Sequence, residues 1–171
     1  MQLEAVMKLR KRLETCVGNL KDWCSSGRLQ LNPNKTELIW FGSRVNFSKL
    51  KRLDVMNLIL CSVVIEPVDS VRDFGIILDS ELSMRKHIVK VSSICFFYIR
   101  RLRMLRPMLD QSSAQRVVSA FILFHIDYCN AVLADLPVTT LAPLVRVLNA
   151  AARLVTGTNA SHTSEMMRSL H

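Results

Sequence analysis

From residue 76 to residue 156 the chain contains no glycine, and this half is patterned for helices. Ile88, Val91, Cys95, Tyr98, Leu102 and Leu105 recur at steps of three and four, the spacing that lines one face of an α-helix. Pro107 ends that helix, and Asp110 is placed to cap the next. Val117, Val118, Phe121, Ile122 and Phe124 surround the second helix on nearly every side, which predicts a fully buried element. Leu136-Pro137 ends it. Thr140 opens a third helix with Leu141, Leu144, Leu148, Ala151 and Val155 as its stripe, stopping near Gly157.

The first part of the chain is organised differently. Apolar residues at 6, 9, 13, 16, 17, 20, 23 and 24 have helical spacing, with Lys8, Arg10, Lys11 and Arg12 mainly turned away from them. Ser25-Ser26-Gly27 ends this helix. Asn32-Pro33-Asn34 is a turn signal, because proline fixes φ and asparagine bonds its own backbone. Lys35 stands at the exit of that turn, and Leu38 to Phe41 form a short apolar run suited to a buried strand, stopped by Gly42-Ser43. A basic connector spans 44–54. Leu58 to Ile65 is a second strand, closed by Glu66-Pro67. Val71 to Leu78 is a third, in which Gly75 implies a bulge or a close backbone approach. The fold class is therefore α+β: a helix with short antiparallel strands over 1–79, then a helical region over 80–171 built as a three-helix bundle.

Half the residues are apolar, enough to build a core at this length. The net charge of +9 is uneven: residues 1–106 hold 19 of the 23 basic and 10 of the 14 acidic side chains, leaving four of each beyond. The first part thus has the electrostatic footprint for phosphates, which an anionic membrane surface would satisfy equally. Five cysteines, at 16, 24, 61, 95 and 129, are odd in number and scattered, with neither a disulfide framework nor zinc spacing. They fit reduced thiols of an intracellular protein. The N-terminal residues carry charge too early for a secretory signal, and the uncharged run Val117 to Ile126 is far short of a membrane span.

Three stretches, in order, resemble one family. Trp23 to Glu37, Trp-x-x-x-x-x-Leu-x-Leu-Asn-Pro-x-Lys-Thr-Glu, is similar to the late palm of reverse transcriptases from LINE-type (jockey-like, non-LTR) retrotransposons. Asp69 to Ser83 looks like that family's primer-contacting hairpin and the start of its thumb. Ile126-Asp-Tyr-Cys-Asn130, Leu136-Pro137 and Leu148 to Leu154 look like its thumb helices. The matches cover roughly residues 10–171. The resemblance implies RNA-directed DNA synthesis in the intact enzyme, with Mg2+ held by a tandem Asp-Asp and a third aspartate. This chain has no Asp-Asp, and in the family that motif precedes the segment matched by residues 3–24. The chain is therefore expected to be a fragment that binds no metal and is not catalytic alone. The family stretch matched by His162 to His171 also continues further. Its partners would be the RNA/DNA primer–template duplex and the missing palm and fingers, with no membrane. Such a piece, with unpaired strand edges, is expected to express poorly or associate.

Asp79-Ser80-Glu81 is the nearest substitute for the missing carboxylates, and its plainer explanation is acids at a helix N-terminus. The resemblance places Lys35 near the leaving pyrophosphate, where an ammonium offsets charge or donates a proton; the alternative is a solvated turn lysine. It makes Phe74-Gly75 the aromatic–glycine pair supporting the primer, against an ordinary bulge beside a core phenylalanine. Arg100, Arg103 and Arg106 share a helix face and, with Arg101, form a basic cluster suited to phosphate. Arg85, Lys86 and Lys90 are further contact candidates. Phe96, Phe97 and Tyr98 point three ways and read as packing rather than base stacking. Asp127-Tyr128 reads as an anchor made by a buried hydrogen bond. His87, His125, His162 and His171 lack ligand spacing. A second function class, a small basic helical module that binds nucleic acid or protein without chemistry, fits the same charge pattern.

Overall fold

The computed structural model describes residues 3–43, 45–47, 56–60, 63–128 and 130–157. The chain is a mixed helix-and-sheet protein with an N-terminal helix, two small two-stranded antiparallel sheets and several further helices. It divides into two compact units, Met1–Ser83 and Met84–His171.

The first unit opens with α1, Leu3–Ser26. Leu13 and Val17 of its inner face pack on buried Leu38, Leu58, Leu60 and Ile65, and Trp40 joins the same cluster. Trp40 donates its indole N–H to the Met56 carbonyl at 2.9 Å, which ties the post-turn segment to the chain just ahead of Leu58. Leu9, Leu20 and Trp23, expected in the helix stripe, are exposed. Asn32 begins the turn as its spacing demands. Its side chain accepts from the Asn34 N–H at 3.0 Å, and Pro33–Lys35 form one 3-10 turn.

The strands differ from the sequence expectation in three places. Leu38–Phe41 is not a ladder strand: it makes a single parallel bridge, Leu38 to Pro67, with the Val68 N–H donating to the Leu38 carbonyl at 2.8 Å. Pro67 has no N–H to give, so the pairing stops there. The apolar run 58–65 is two strands, β1 (Leu58–Leu60) and β2 (Val63–Ile65), paired Leu58 to Ile65 and Leu60 to Val63. Lastly, Gly75 is no bulge. β3 (Ser70–Asp73) and β4 (Ile76–Asp79) form a hairpin around Phe74-Gly75. Both turn residues have positive φ, 43° and 87°, as a two-residue type I′ turn requires.

The second unit is helical. α2 (Arg85–Leu105) is followed by a 3-10 turn, Arg106–Met108, and by α3 (Gln111–Val118). Asp110 caps α3 by accepting from the Ser113 N–H at 3.0 Å. A π-helical segment, Ser119–Leu123, leads into α4 (Phe124–Asp127), and after a 3-10 turn at Asn130–Leu133 comes α5 (Val138–Thr156). Gly157 ends α5 in the left-handed conformation, φ 68°, its N–H on the Arg153 carbonyl. Cys95, Ile99 and Leu102 of α2, Val118 and Ile122, and Val147, Ala150, Ala151 and Leu154 of α5 form one core. α5 is also long and apolar enough to cross a membrane by length and composition. It carries Arg146 and Arg153, and its apolar face supplies this core.

The middle helix is not buried all round. Val118 and Ile122 face inward while Phe121 and Phe124 are exposed. Its buried residues step by four, at 114, 118 and 122. A regular α-helix drifts off axis at that step, and the wider π turn keeps the row in phase.

Candidate nucleic-acid interface

The candidate residues fall into both units, and each unit presents its own surface. In the first, Lys35 is exposed at the last position of the 3-10 turn, its backbone N–H on the Asn32 carbonyl at 3.1 Å. Phe74 sits at the tip of the β3–β4 hairpin with 84% of its surface exposed. A phenylalanine at φ 43° is strained, since only residues without a bulky Cβ substituent adopt this region readily. A large ring held outward on a strained turn is poor hairpin design and a good contact, so the tip remains in the candidate surface.

Asp79, the carboxylate nearest a metal-ligand role, does not cap a helix. It ends β4 and is buried, accepting from the N–H groups of Glu81 (3.2 Å) and Ser83 (2.8 Å) through one oxygen and from the Ser83 hydroxyl (3.0 Å) through the other. α2 begins further on, after Met84 at φ 57°, without a side-chain cap. Both Asp79 oxygens are thus spent on the turn that links β4 to α2. Among the described residues no three His, Cys, Asp or Glu side chains gather as a metal site.

In the second unit α2 supplies the charge. Arg85, Lys86, Lys90, Arg100, Arg101 and Arg103 lie exposed along a helix that contains no acidic residue. Between residues 84 and 157 ten basic side chains face three acidic ones. Arg100 and Arg103, one turn apart, remain together on the exposed side. Arg106 does not join them. It lies just past the end of α2, and its guanidinium turns inward. Nε donates to the Leu154 carbonyl (2.8 Å), Nη2 to that of Val155 (2.9 Å) and Nη1 to that of Leu109 (2.8 Å). The last carbonyls of α5 have no intrahelical donor, and a cation there also complements the helix dipole. The i, i+3, i+6 face of the sequence is therefore Arg100 and Arg103, with Arg106 a cap for α5.

Two other assignments change. Asp127 and Tyr128 are exposed, and Asp127 accepts from the Asn130 side chain at 2.7 Å rather than making a buried anchor. Phe97 faces solvent, while Phe96 and Tyr98 pack against the core. Among the titratable groups, burial holds His87 below its ordinary value and pushes the Cys95 thiol up to about 11. Cys95 contacts the Ile122 carbonyl at 3.9 Å and is an inert core thiol. Cys24 is also buried and Cys16 exposed; Cys61 and Cys129 lie outside the described residues, as do His162 and His171.

Compared with family models, curated proteins and solved structures, the chain matches none.

Proposed function

We propose that this chain corresponds to the late palm and thumb of an RNA-directed DNA polymerase of the LINE-type, non-LTR class, and that its own part in the reaction is to hold the primer–template duplex. The observation that carries the reading is the ordered set of three stretches, Trp23–Glu37, Asp69–Ser83 and Ile126–Leu154. Two features are in keeping with it. The Asp69–Ser83 stretch contains a two-stranded hairpin with Phe74-Gly75 at its turn. The basic cluster at the end of α2 keeps Arg100 and Arg103 exposed on an acid-free helix, able to meet phosphates by charge and shape rather than sequence. Lys35 is exposed beside its turn, as a pyrophosphate partner must be. The tandem aspartates of that class have no counterpart here, since the sequence holds no Asp-Asp pair.

The test is binding to an RNA/DNA primer–template hybrid across a salt series. Every phosphate that a variant no longer neutralises takes about 0.9 off the slope of log affinity against log salt. Arg100→Glu with Arg103→Glu should abolish binding with helicity unchanged, and unchanged binding would remove the arginine face from the reading. Polymerisation restored on fusing upstream palm sequence carrying an aspartate pair would support the polymerase assignment; a folded fusion that still cannot extend a primer would sink it. A second reading, a basic binding module without chemistry, is favoured by one observation: residues 84–157 close a core of their own.

A further inference from the structure

Core packing explains the aromatic residues of the second unit only in part. Phe96 and Tyr98 lie against the core, but Phe97, Phe121 and Phe124 do not, and they are 46%, 45% and 67% exposed. These rings are not scattered. Phe97 meets Tyr98 edge-on at 5.6 Å, Tyr98 meets Phe121 at 5.3 Å and His125 at 5.6 Å, and Phe124 meets His125 at 6.4 Å. The result is a connected row, Phe97–Tyr98–His125–Phe124, with Phe121 beside Tyr98, running from α2 across to the π segment and α4. The π segment makes the row possible. By keeping Ala114, Val118 and Ile122 in phase with the core it leaves Phe121 and His125 on the side where Tyr98 stands.

Charge says what covers this row. The Arg101 guanidinium lies 5.4 Å from the centre of the Phe97 ring, so a cation is built into the row's end. It is exposed, and α2 offers no acid. The acid beside the far end, Asp127, is engaged by Asn130. A surround that is basic on balance favours a polyanion with flat faces, which matches both features, over an apolar protein partner. In a duplex those faces are already stacked on neighbouring bases.

We propose that the row of Phe97, Tyr98, His125 and Phe124, with Phe121 beside Tyr98 and Arg101 at its end, is a stacking platform for single-stranded nucleic acid. Bases lie on the exposed rings and Arg101 takes an adjoining phosphate. Stacking of this kind tolerates any base, so the platform is indifferent to sequence. The proposal stands apart from the polymerase assignment, because it concerns a different ligand form and rests on the rings and Arg101 rather than on Arg100 and Arg103.

The experiment is fluorescence anisotropy of the full chain with fluorescein-labelled oligo(dT) and oligo(U) of about 12 nucleotides. Phe97→Leu and Phe124→Leu keep apolar bulk and should each weaken single-strand binding by about fivefold to a hundredfold, while Phe97→Trp preserves it. Affinity for the RNA/DNA hybrid should not move with these changes; it should move with Arg100→Glu and Arg103→Glu. Crosslinking to the same oligomers carrying 5-iodouracil gives a readout independent of variant folding, with adducts expected on Phe97, Tyr98 or Phe124. Three results each overturn the proposal: single-strand affinity unchanged in the double leucine variant, adducts confined to other residues, or a wild-type chain that ignores oligomers but self-associates through these rings.

Discussion

Replacing Arg106 by glutamine separates a structural role for this side chain from a nucleic-acid role. The wild-type guanidinium makes three hydrogen bonds of 2.8–2.9 Å to the carbonyls of Leu109, Leu154 and Val155. Bonds from a charged donor are worth roughly 1.5–3 kcal/mol each, so the ceiling for all three is several times one bond. The site is only half-buried, and water reaches the helix end once the side chain is shortened. The net loss therefore settles at about 2–3 kcal/mol, of which the charge–dipole contribution is about 0.5–1 kcal/mol. Arg106→Lys should recover that smaller share and no more, because an ammonium cannot span three carbonyls in a plane. Urea unfolding followed by circular dichroism at the helical band should show a midpoint lowered by about 1 M for Arg106→Gln, at constant slope. Arg100→Gln and Arg103→Gln, exposed on α2, should stay within about 0.5 kcal/mol of wild type. A wild-type midpoint for Arg106→Gln, combined with weakened hybrid binding, would show that the side chain serves the ligand and that the α5 cap is dispensable.

Phe74→Asn places the preferred Asn-Gly pair in the type I′ turn and should stabilise the chain by about 0.5–1 kcal/mol in a thermal melt, while weakening hybrid binding if the tip touches the primer strand. His87 is held below its ordinary 6.5 by burial, so the unfolded chain takes up a proton first as pH falls. Stability should be flat above pH 7 and decline below about 6.5, and His87→Gln should remove that decline in urea midpoints taken across the range. Alkylation mapped by mass spectrometry should find Cys16 modified in the native chain and Cys95, with its thiol raised to about 11 by burial, modified only after unfolding.

The long elements were legible because their signals are local and repeated. The seam from Ile88 to Leu105 and the stops at Gly27, Pro107 and Gly157 mark α1, α2 and α5 to within a few residues, and Asp110 caps where its position says it should. The failures have separate physical causes. Leu58–Ile65 hides its division into two paired strands, since the run contains none of the glycine, proline or asparagine that usually announces a turn. The π segment has no composition of its own, so a helix with apolar residues on many sides looked buried when a phase shift had turned some of them outward. Of the candidate contacts, Arg100 and Arg103 follow from helix period alone. Arg106 could not be placed that way, because its partners, Leu154 and Val155, lie 48 and 49 residues on in sequence.

No apolar side chain of the β3–β4 hairpin is fully buried; along both strands only Asp79 is. A two-stranded ribbon without a fully buried apolar face is marginal in water, so this piece leans on its ladder and its turn, with the Ser80 N–H on the Asp69 carbonyl at 3.1 Å and the Gly42 N–H on the Ser80 carbonyl at 3.0 Å at its open end. It should behave as a separate opening unit, exchanging its amide protons through local fluctuation rather than through loss of the fold. Exchange at Arg72 and Ile77 would then be blind to Arg106→Gln, which acts on the other unit. It also means that whatever meets Phe74 meets a ribbon that must be quieted on contact. Affinity at the tip is discounted by that ordering, and a ligand's arrival is best read as slowed exchange along Ser70–Asp79.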